Sequence, residues 1–506
     1  LFILENVKKF SLIDRIAAVS ENEGSITYAE LESRSEAMAA FLLQIYPDKS
    51  PIILCGDKEH DMLTGVLAAL KAGKPYIMVP HYLPQKRVQH IIDDCAPCAV
   101  FNVSDIDFPI SFSAIYNKKD ISLIIRQYSG KPVDSSNWVK PDDLVCIFYT
   151  SGSTGIPKGV MITRKNIQAM VDMWFPIRNI GINNPKMINF SPYAFASSLG
   201  TIYTHMGMLG ATLYAVDKKL AANYPMLLEY VLEVNPHYFH CTPSFADICL
   251  QDDRFNGEYM SHIRQFSIGG EPLPHRIAKS LLEKFPNIQV MNGYGATETT
   301  IGTISCEVTW DMVNSDKPMP IGYPSFNSEC LIFDENGNEL PDGEIGELVI
   351  ISDMITKGYF KDPKRTERSY FESESGTRGY HTKDLAWKEN GLIYYVGRAD
   401  NMVKVGGYRV EMEEVERYLS KVSTVAQCAV CPAEEDQRTV MLVAYVVLKP
   451  GVKKGLAAVA AIKKEMAPLV PGYMIPQKIV FLDALPYNAS DKLDRNKLRE
   501  MSKIKK

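Results

Sequence analysis

The stretch LVCIFYTSGSTGIPKGV, residues 144–160, sets a buried-looking apolar run directly before a turn rich in glycine and hydroxyl side chains. The run reads as a β-strand. Gly152, Gly155 and Gly159 allow turns that expose consecutive backbone N–H groups. Ser151, Ser153 and Thr154 add hydroxyl donors, and Lys158 adds a mobile cation. A strand that ends in such a turn is where phosphates bind in α/β proteins. The loop is not a Walker A motif, because Lys158 follows Pro157 and precedes Gly159. A plain Ser/Gly surface turn is the competing reading of this stretch alone.

Working outward, residues 51–103 alternate apolar runs with helical patterns: PIILCG, MLTGVLAALKAG, PYIMVP, VQHIIDDC, CAVFNV. That β–α–β–α–β order predicts a mostly parallel sheet. The theme returns near residues 187–190, 211–216 and 237–241. From about residue 327 the texture changes to short strands with turn signals at Asn336-Gly337 and Asp342-Gly343. A further compact block starts near Met402. The expected fold is α/β: a large N-terminal part, 1–399, including a β-rich part at about 327–399, then a small α+β C-terminal domain, 400–506. At the N-terminus, Leu4, Val7, Phe10, Ile13 and Ile16 predict an amphipathic helix rather than a signal peptide.

A chain of 506 residues needs more than one core, and 46% hydrophobic with 23% charged residues is the balance of a soluble globular protein. A net charge of −5 with no basic stripe argues against nucleic acid as a partner, and no apolar run reaches the length of a membrane span. Two Cys-x-x-Cys pairs, Cys95/Cys98 and Cys428/Cys431, raise a zinc site. They lie far apart without flanking histidines, so buried, reduced, cytoplasmic thiols are the better expectation.

Four more stretches carry chemistry. MNGYGATETTI from Met291 gathers Asn292, Tyr294, Thr297 and Glu298: a ring to stack on a purine, a hydroxyl for a phosphate, a carboxylate for Mg2+. YHTKDLAW from Tyr380 offers Asp384 to ribose hydroxyls. GRADNMVKVGGYRVEMEEVE from Gly397 sets Arg398 and Asp400 before the pair Gly406-Gly407. PYNASDKLDRNKL from Pro486 presents Lys492 in a polar turn.

In this order and spacing the motifs resemble the adenylate-forming superfamily of acyl-CoA synthetases, luciferases and nonribosomal peptide synthetase adenylation domains. The likeness covers nearly the whole chain. Within the superfamily, CTPSFADICL, GGEPLPHRIAKSLLEKFP and VLEVNPHYF are similar to the stand-alone D-alanine:carrier-protein ligases. The resemblance implies an ATP- and Mg2+-dependent enzyme that forms an acyl-adenylate, releases pyrophosphate and passes the acyl group to a thiol. Thr150, Ser151, Gly152, Ser153, Thr154, Gly155 and Lys158 would embrace the β- and γ-phosphates. Asn292, Gly293 and Tyr294 would hold adenine, Asp384 and Arg398 the ribose. Thr297, Glu298 and Lys492 would be catalytic, with Glu298 on the metal, and Asp400 would be the hinge of a mobile C-terminal domain. The acceptor would be a phosphopantetheinylated carrier protein in trans, since no carrier module follows Lys492; free coenzyme A, or a scaffold without catalysis, are the alternatives.

By motif the acid pocket would comprise Phe195, Ala196, Ser197, Gly200, His240, Ser267, Gly269, Gly293, Ile301 and Gly302. Amino-acid-activating relatives carry an Asp at the position of Ala196, to pair with the α-ammonium. An ammonium buried without that carboxylate would cost several kcal/mol. The expected substrate is therefore a small acid without an α-amino group, an aryl acid such as a hydroxybenzoate, with the glycines leaving room and His240 meeting a polar ring substituent. A D-alanine-type ligase is the alternative. Ala296, Lys383, Met402 and Gly406 also depart from the family pattern, as does Gly269, where the D-alanine ligases usually carry Cys.

Overall fold

The computed structural model describes residues 2–151, 157–399, 402–435, 438–486 and 493–502. Two large sheets and two smaller ones organise them. The first sheet runs Gly358–Tyr359, Lys158–Thr163, Leu144–Thr150, Tyr76–Pro80, Ile52–Gly56, Ala99–Asn102, Ile115–Asn117. Its middle is parallel, with Ile53 in register with Ile77 on one side and Val100 on the other. Helices His60–Lys71 and Gln85–Cys95 make the crossovers expected from the alternating pattern.

The second sheet has nine strands, with Tyr238–Cys241, Gln265–Gly269 and Gln289–Tyr294 parallel near one end. Between the two large sheets runs the helix Arg164–Arg178, started by a reciprocal cap of Thr163 and Asn166. Asn166 Nδ2 also donates to the carbonyls of Asp353 and Ile355, both at 2.9 Å, tying this helix to the β-rich part. That part is a five-stranded antiparallel sheet of strands between Ser328 and Arg398.

The C-terminal sheet places hairpin Met402–Val405/Tyr408–Glu411 beside the long Arg438–Leu448 strand, with Val425–Glu435 and Lys478–Phe481 flanking it. Gly406 and Gly407 turn the hairpin at φ +56° and +79°, values that favour glycine. Apolar side chains fill both faces of this sheet, around Val446 and Ile462 on one and Tyr445 and Leu498 on the other.

One sequence expectation needs correction. The N-terminal helix stops at Phe10; Ile13 is exposed and Ile16 opens a strand, Ile16–Ser20. Leu4 and Val7 are the buried anchors, and the 3.6-residue period beyond Phe10 was coincidental. Among the described residues no helix is long and apolar enough to cross a membrane. The ten cysteines are free thiols, and Cys428 and Cys431 lie on one strand.

Candidate active site

A single cleft gathers the C-terminal ends of strands from both large sheets, the place where α/β folds bind ligands. Its lining includes Thr150 and Ser151, Gly269 and Gly270, and the run from Met291 to Thr297. The hairpin of the C-terminal sheet covers it.

At one end of the cleft, Asp384 and Arg398 face each other across neighbouring antiparallel strands and pair at 3.0 Å. The Tyr294 hydroxyl donates to the same carboxylate. Thr382 steadies the group: its hydroxyl donates to the Leu348 carbonyl at 2.6 Å and accepts from the Asp384 N–H at 3.0 Å. Asn292 Nδ2 donates to the Pro320 carbonyl at 2.7 Å. Lys404 from the hairpin sits 5.7 Å from the Tyr294 ring centre.

The centre of the cleft is a fully buried carboxylate among cations. Glu298 accepts from Lys158 Nζ at 2.9 Å, from Tyr359 at 3.0 Å and from Arg409 at 3.1 and 3.2 Å. Burial alone would raise the Glu298 pKa, but Arg409 and Lys158 outweigh it and hold the carboxyl far below its ordinary range. Lys158 is pushed down to about 8, first by burial and then by Arg409 beside it, against the pull of Glu298. The two shifts are compatible: one anion between two cations is held charged, while the cations repel each other. Thr297 lies on the short turn that carries Glu298. Ser151 Oγ donates to the Arg409 carbonyl at 2.9 Å, and Thr150 Oγ1 is buried without a partner among the described residues. The expectations placed on Gly152, Ser153, Thr154, Gly155, Asp400 and Lys492 fall outside the described residues.

The same cleft brings together Phe195, Ala196, Ser197, His240, Ser267, Gly269, Gly293, Ile301 and Gly302, the residues expected to form an acid pocket. Gly200 opens the adjoining π-helix, Gly200–Met206. Thr300, Ile301 and Gly302 hold consecutive positive φ values of 50°, 59° and 53°, strained for two β-branched residues. The Thr300 hydroxyl, donating to the Met354 carbonyl at 2.6 Å, helps fix that backbone.

The glycines do not leave the room expected of them. A methyl on Gly302 would lie 2.0 Å from the Trp174 ring, and one on Gly200 3.4 Å from it. Trp174 fills that space and donates Nε1–H to the Gly302 carbonyl at 3.2 Å. A methyl on Gly269 would meet the Gly293 carbonyl at 2.9 Å, so this glycine serves close strand approach. Of these glycines in the two strands, Gly293 alone faces ordinary contacts, the nearest at 3.8 Å.

Sequence reading also missed Trp174 and Arg178 of the Arg164–Arg178 helix, Tyr359, and Arg409 of the hairpin. The spacing of Trp174 and Arg178, one helical turn apart in MWFPIR, was the available signal.

One cleft thus holds a buried carboxylate that gathers two cations, an Asp–Arg pair and a glycine-lined recess beside Trp174. Comparison with known families identifies the class of enzyme. The AMP-binding enzyme family matches residues 5–360, and the AMP-binding enzyme C-terminal domain matches residues 414–492. The chain belongs to the AMP-binding enzyme family, and it is an AMP-forming acid–thiol ligase that uses ATP. It is 34% identical over 507 residues to a D-alanine--D-alanyl carrier protein ligase of Bacillus licheniformis, covering 98% of this chain and 99% of that protein. A Bacillus cytotoxicus protein of the same name is 35% identical over 506 residues, 98% of each. In fold it is similar to the Vibrio cholerae adenylation domain AlmE in complex with glycyl-adenosine-5'-phosphate, with a TM-score of 0.82 at 20% identity, covering 99% of this chain and 97% of that one.

Proposed function

We propose that the chain activates a small carboxylic acid lacking an α-amino group, an aryl acid such as a hydroxybenzoate, and loads it onto the phosphopantetheine thiol of a separate carrier protein. The acid carboxylate attacks the α-phosphorus of ATP and pyrophosphate leaves; the thiol then attacks the acyl carbon and AMP leaves. In this reading Asn292, Gly293 and Tyr294 hold adenine, and Asp384 with Arg398 holds the ribose. Thr150, Ser151 and Lys158 line the phosphate path with residues 152–155, and Thr297 and Lys492 act on the α-phosphate and the attacking carboxylate. One buried carboxylate beside substrate phosphates is a donor set that suits Mg2+, so Glu298 would hold that ion, which supplies charge neutralisation when bound. Residues 400–506 would swing about Asp400 between the two half-reactions.

The observation that carries the substrate reading is Ala196. It is buried in the cleft wall, and among the described residues lining the acid half none is a carboxylate; the lining Asp384 lies at the nucleotide end against Arg398. An α-ammonium would go unpaired there. The Trp174 indole gives the slot a flat wall suited to an aromatic acid. The second reading, a D-alanine ligase, is favoured by the names of the curated relatives. A second acceptor, free coenzyme A, would use the same first step.

Pyrophosphate exchange across amino, aryl, keto and aliphatic acids, followed by thioester formation on a holo carrier protein or on coenzyme A, separates these readings. An aryl acid should give the highest specificity constant. D-alanine or another α-amino acid in first place would sink the reading of Ala196.

A further inference from the structure

Below the rim of the acid slot the sheet forms layers. Gly269, Ser267 and Gln265 alternate on one strand and so share a face, each step descending about 7 Å. Gly269 pairs in register with Gly293 at the rim, and Ser267 pairs with His240 one layer down. At the floor, Gln265 Oε1 accepts from Arg178 Nη1 at 2.6 Å.

Arg178 is 5% exposed, yet it lines the cleft and among the described residues pairs with no carboxylate. Its guanidinium lies 4.5 Å from the Trp174 ring centre, and its carbonyl accepts from the Tyr238 hydroxyl. Among the described residues its Nε–H is buried without an acceptor. His240 Nδ1, one layer above, is also buried without a partner among the described residues. Next to them His205 Nδ1 is taken by the Gly200 carbonyl at 3.0 Å, so it offers no second anion-binding arm there. Buried guanidinium groups are costly unless an anion meets them, and orphaned buried donors are rare. A cation held by a neutral amide and an indole, beside a second orphan nitrogen, is a half-built ion pair.

We propose that the acid this enzyme activates carries a second anionic group, a carboxylate, which Arg178 and His240 receive at the closed end of the slot. The substrate class is thus a dicarboxylic acid whose carboxylates stand about one strand layer apart, roughly 7 Å, the step from Gly269 at the rim to the Ser267–His240 layer that lies just above Arg178. A benzene ring or a short aliphatic chain spans that distance. One carboxylate reacts at the rim and the other anchors the molecule. The inference rests on the reading above that this slot holds the acid, and it sharpens that reading from a polar ring substituent to an anionic one. His240 would donate from Nδ1 in its neutral form, which burial and the nearby Arg178 favour by pushing its pKa down to about 3.

The test uses matched acids with the intact wild-type enzyme in pyrophosphate exchange: benzoate, 4-hydroxybenzoate and 1,4-benzenedicarboxylate; hexanoate and hexanedioate. Hydrogen bonds to a charged group are worth about 1.5–3 kcal/mol, which converts to roughly 10- to 150-fold. The dicarboxylate should therefore exceed its matched monoacid in kcat/KM by about 100-fold. Arg178→Gln should bring that ratio to within about threefold, and Arg178→Lys should restore part of the ratio. Equal wild-type constants for dicarboxylate and monoacid would overturn the proposal without needing any variant. So would an Arg178→Gln enzyme that loses both substrates alike, since that marks a structural role. Preference for an α-amino dicarboxylic acid would refute the missing-ammonium reading and leave this one standing; preference for an aryl monoacid would do the reverse.

Discussion

Arg409 offers the sharpest perturbation of the cleft. It reaches Glu298 from the hairpin at 3.1 and 3.2 Å, and Glu298 is fully buried. Removing one partner of a buried ion pair costs about 3–5 kcal/mol, because the remaining charge is left uncompensated. Here Lys158 and Tyr359 still bond the carboxylate, so the lower end, about 3 kcal/mol or roughly 100-fold, is the better figure. That free energy belongs to the docking of the hairpin over the cleft rather than to the core of either part. Other contacts hold the hairpin side: Gly407 N–H donates to Glu271 at 2.9 Å, Arg438 bonds Ser244 at 3.1 Å and Asp247 at 3.2 Å, and Arg87 pairs with Glu414. Arg409→Met should therefore depopulate the docked arrangement by up to about 100-fold without unfolding the protein. If the docked hairpin serves thiol transfer, pyrophosphate exchange should stay within about threefold of wild type. Single-turnover thioester formation should fall by roughly 30- to 100-fold, and Arg409→Lys should recover part of it. Equal loss in both half-reactions would refute the reasoning, because Arg409 would then serve the adenylation chemistry itself.

Two further outcomes follow from the geometry. Gly302→Ala puts a methyl 2.0 Å from the Trp174 ring at a φ of +53°, so it should cost about 1–3 kcal/mol of stability and at least tenfold in acid kcat/KM, read by urea unfolding and pyrophosphate exchange. His205 is buried and its pKa is driven down to about 3 by burial first and Arg178 next; the unfolded chain binds a proton near 6.5, so stability is complete above pH 6.5 and falls as pH drops toward 3. That single group should cost about 2 kcal/mol between pH 7.5 and pH 5, with His240 adding in the same direction, and His205→Gln should shrink the loss measured by urea unfolding.

The residues that were legible in the sequence are those whose chemistry is local. The apolar run and glycine-rich turn at residues 144–160 give a strand and its end. Asp384 and Arg398, read as partners for a ribose, stand opposite one another in strand register. Glu298 was read as the Mg2+ ligand; the groups the structure sets against it are Lys158 and Arg409. What escaped reading is long-range. Gly302 is explained by Trp174, which lies 128 positions earlier and fills its missing side chain. No pattern within a strand or helix reports on such a pair. Arg178 was hidden for a related reason: an arginine at the end of an amphipathic helix ordinarily reaches solvent, and only the packing of Gln265 and Tyr238 against it shows that this one does not.

The two halves of the cleft also differ in how they are held, and the difference follows from what each must do. The acid slot is built from strand backbones in register, a strained turn locked by Thr300, and an indole hydrogen-bonded in place. In the proposed cycle nothing there would have to change when the reacting bond passes from phosphate to thiol, because the acyl group would stay where it is. The phosphate side is closed instead by side chains from a separate sheet, meeting a carboxylate whose charge any cation can satisfy. Under the proposed alternation, a buried anion that meets Lys158 from its own domain and Arg409 from the separate sheet would be the switch point, with the positive group that arrives deciding which half-reaction the site supports. Rigidity on the acid side and exchange on the phosphate side are thus two consequences of one requirement, that a single slot serve two reactions in sequence.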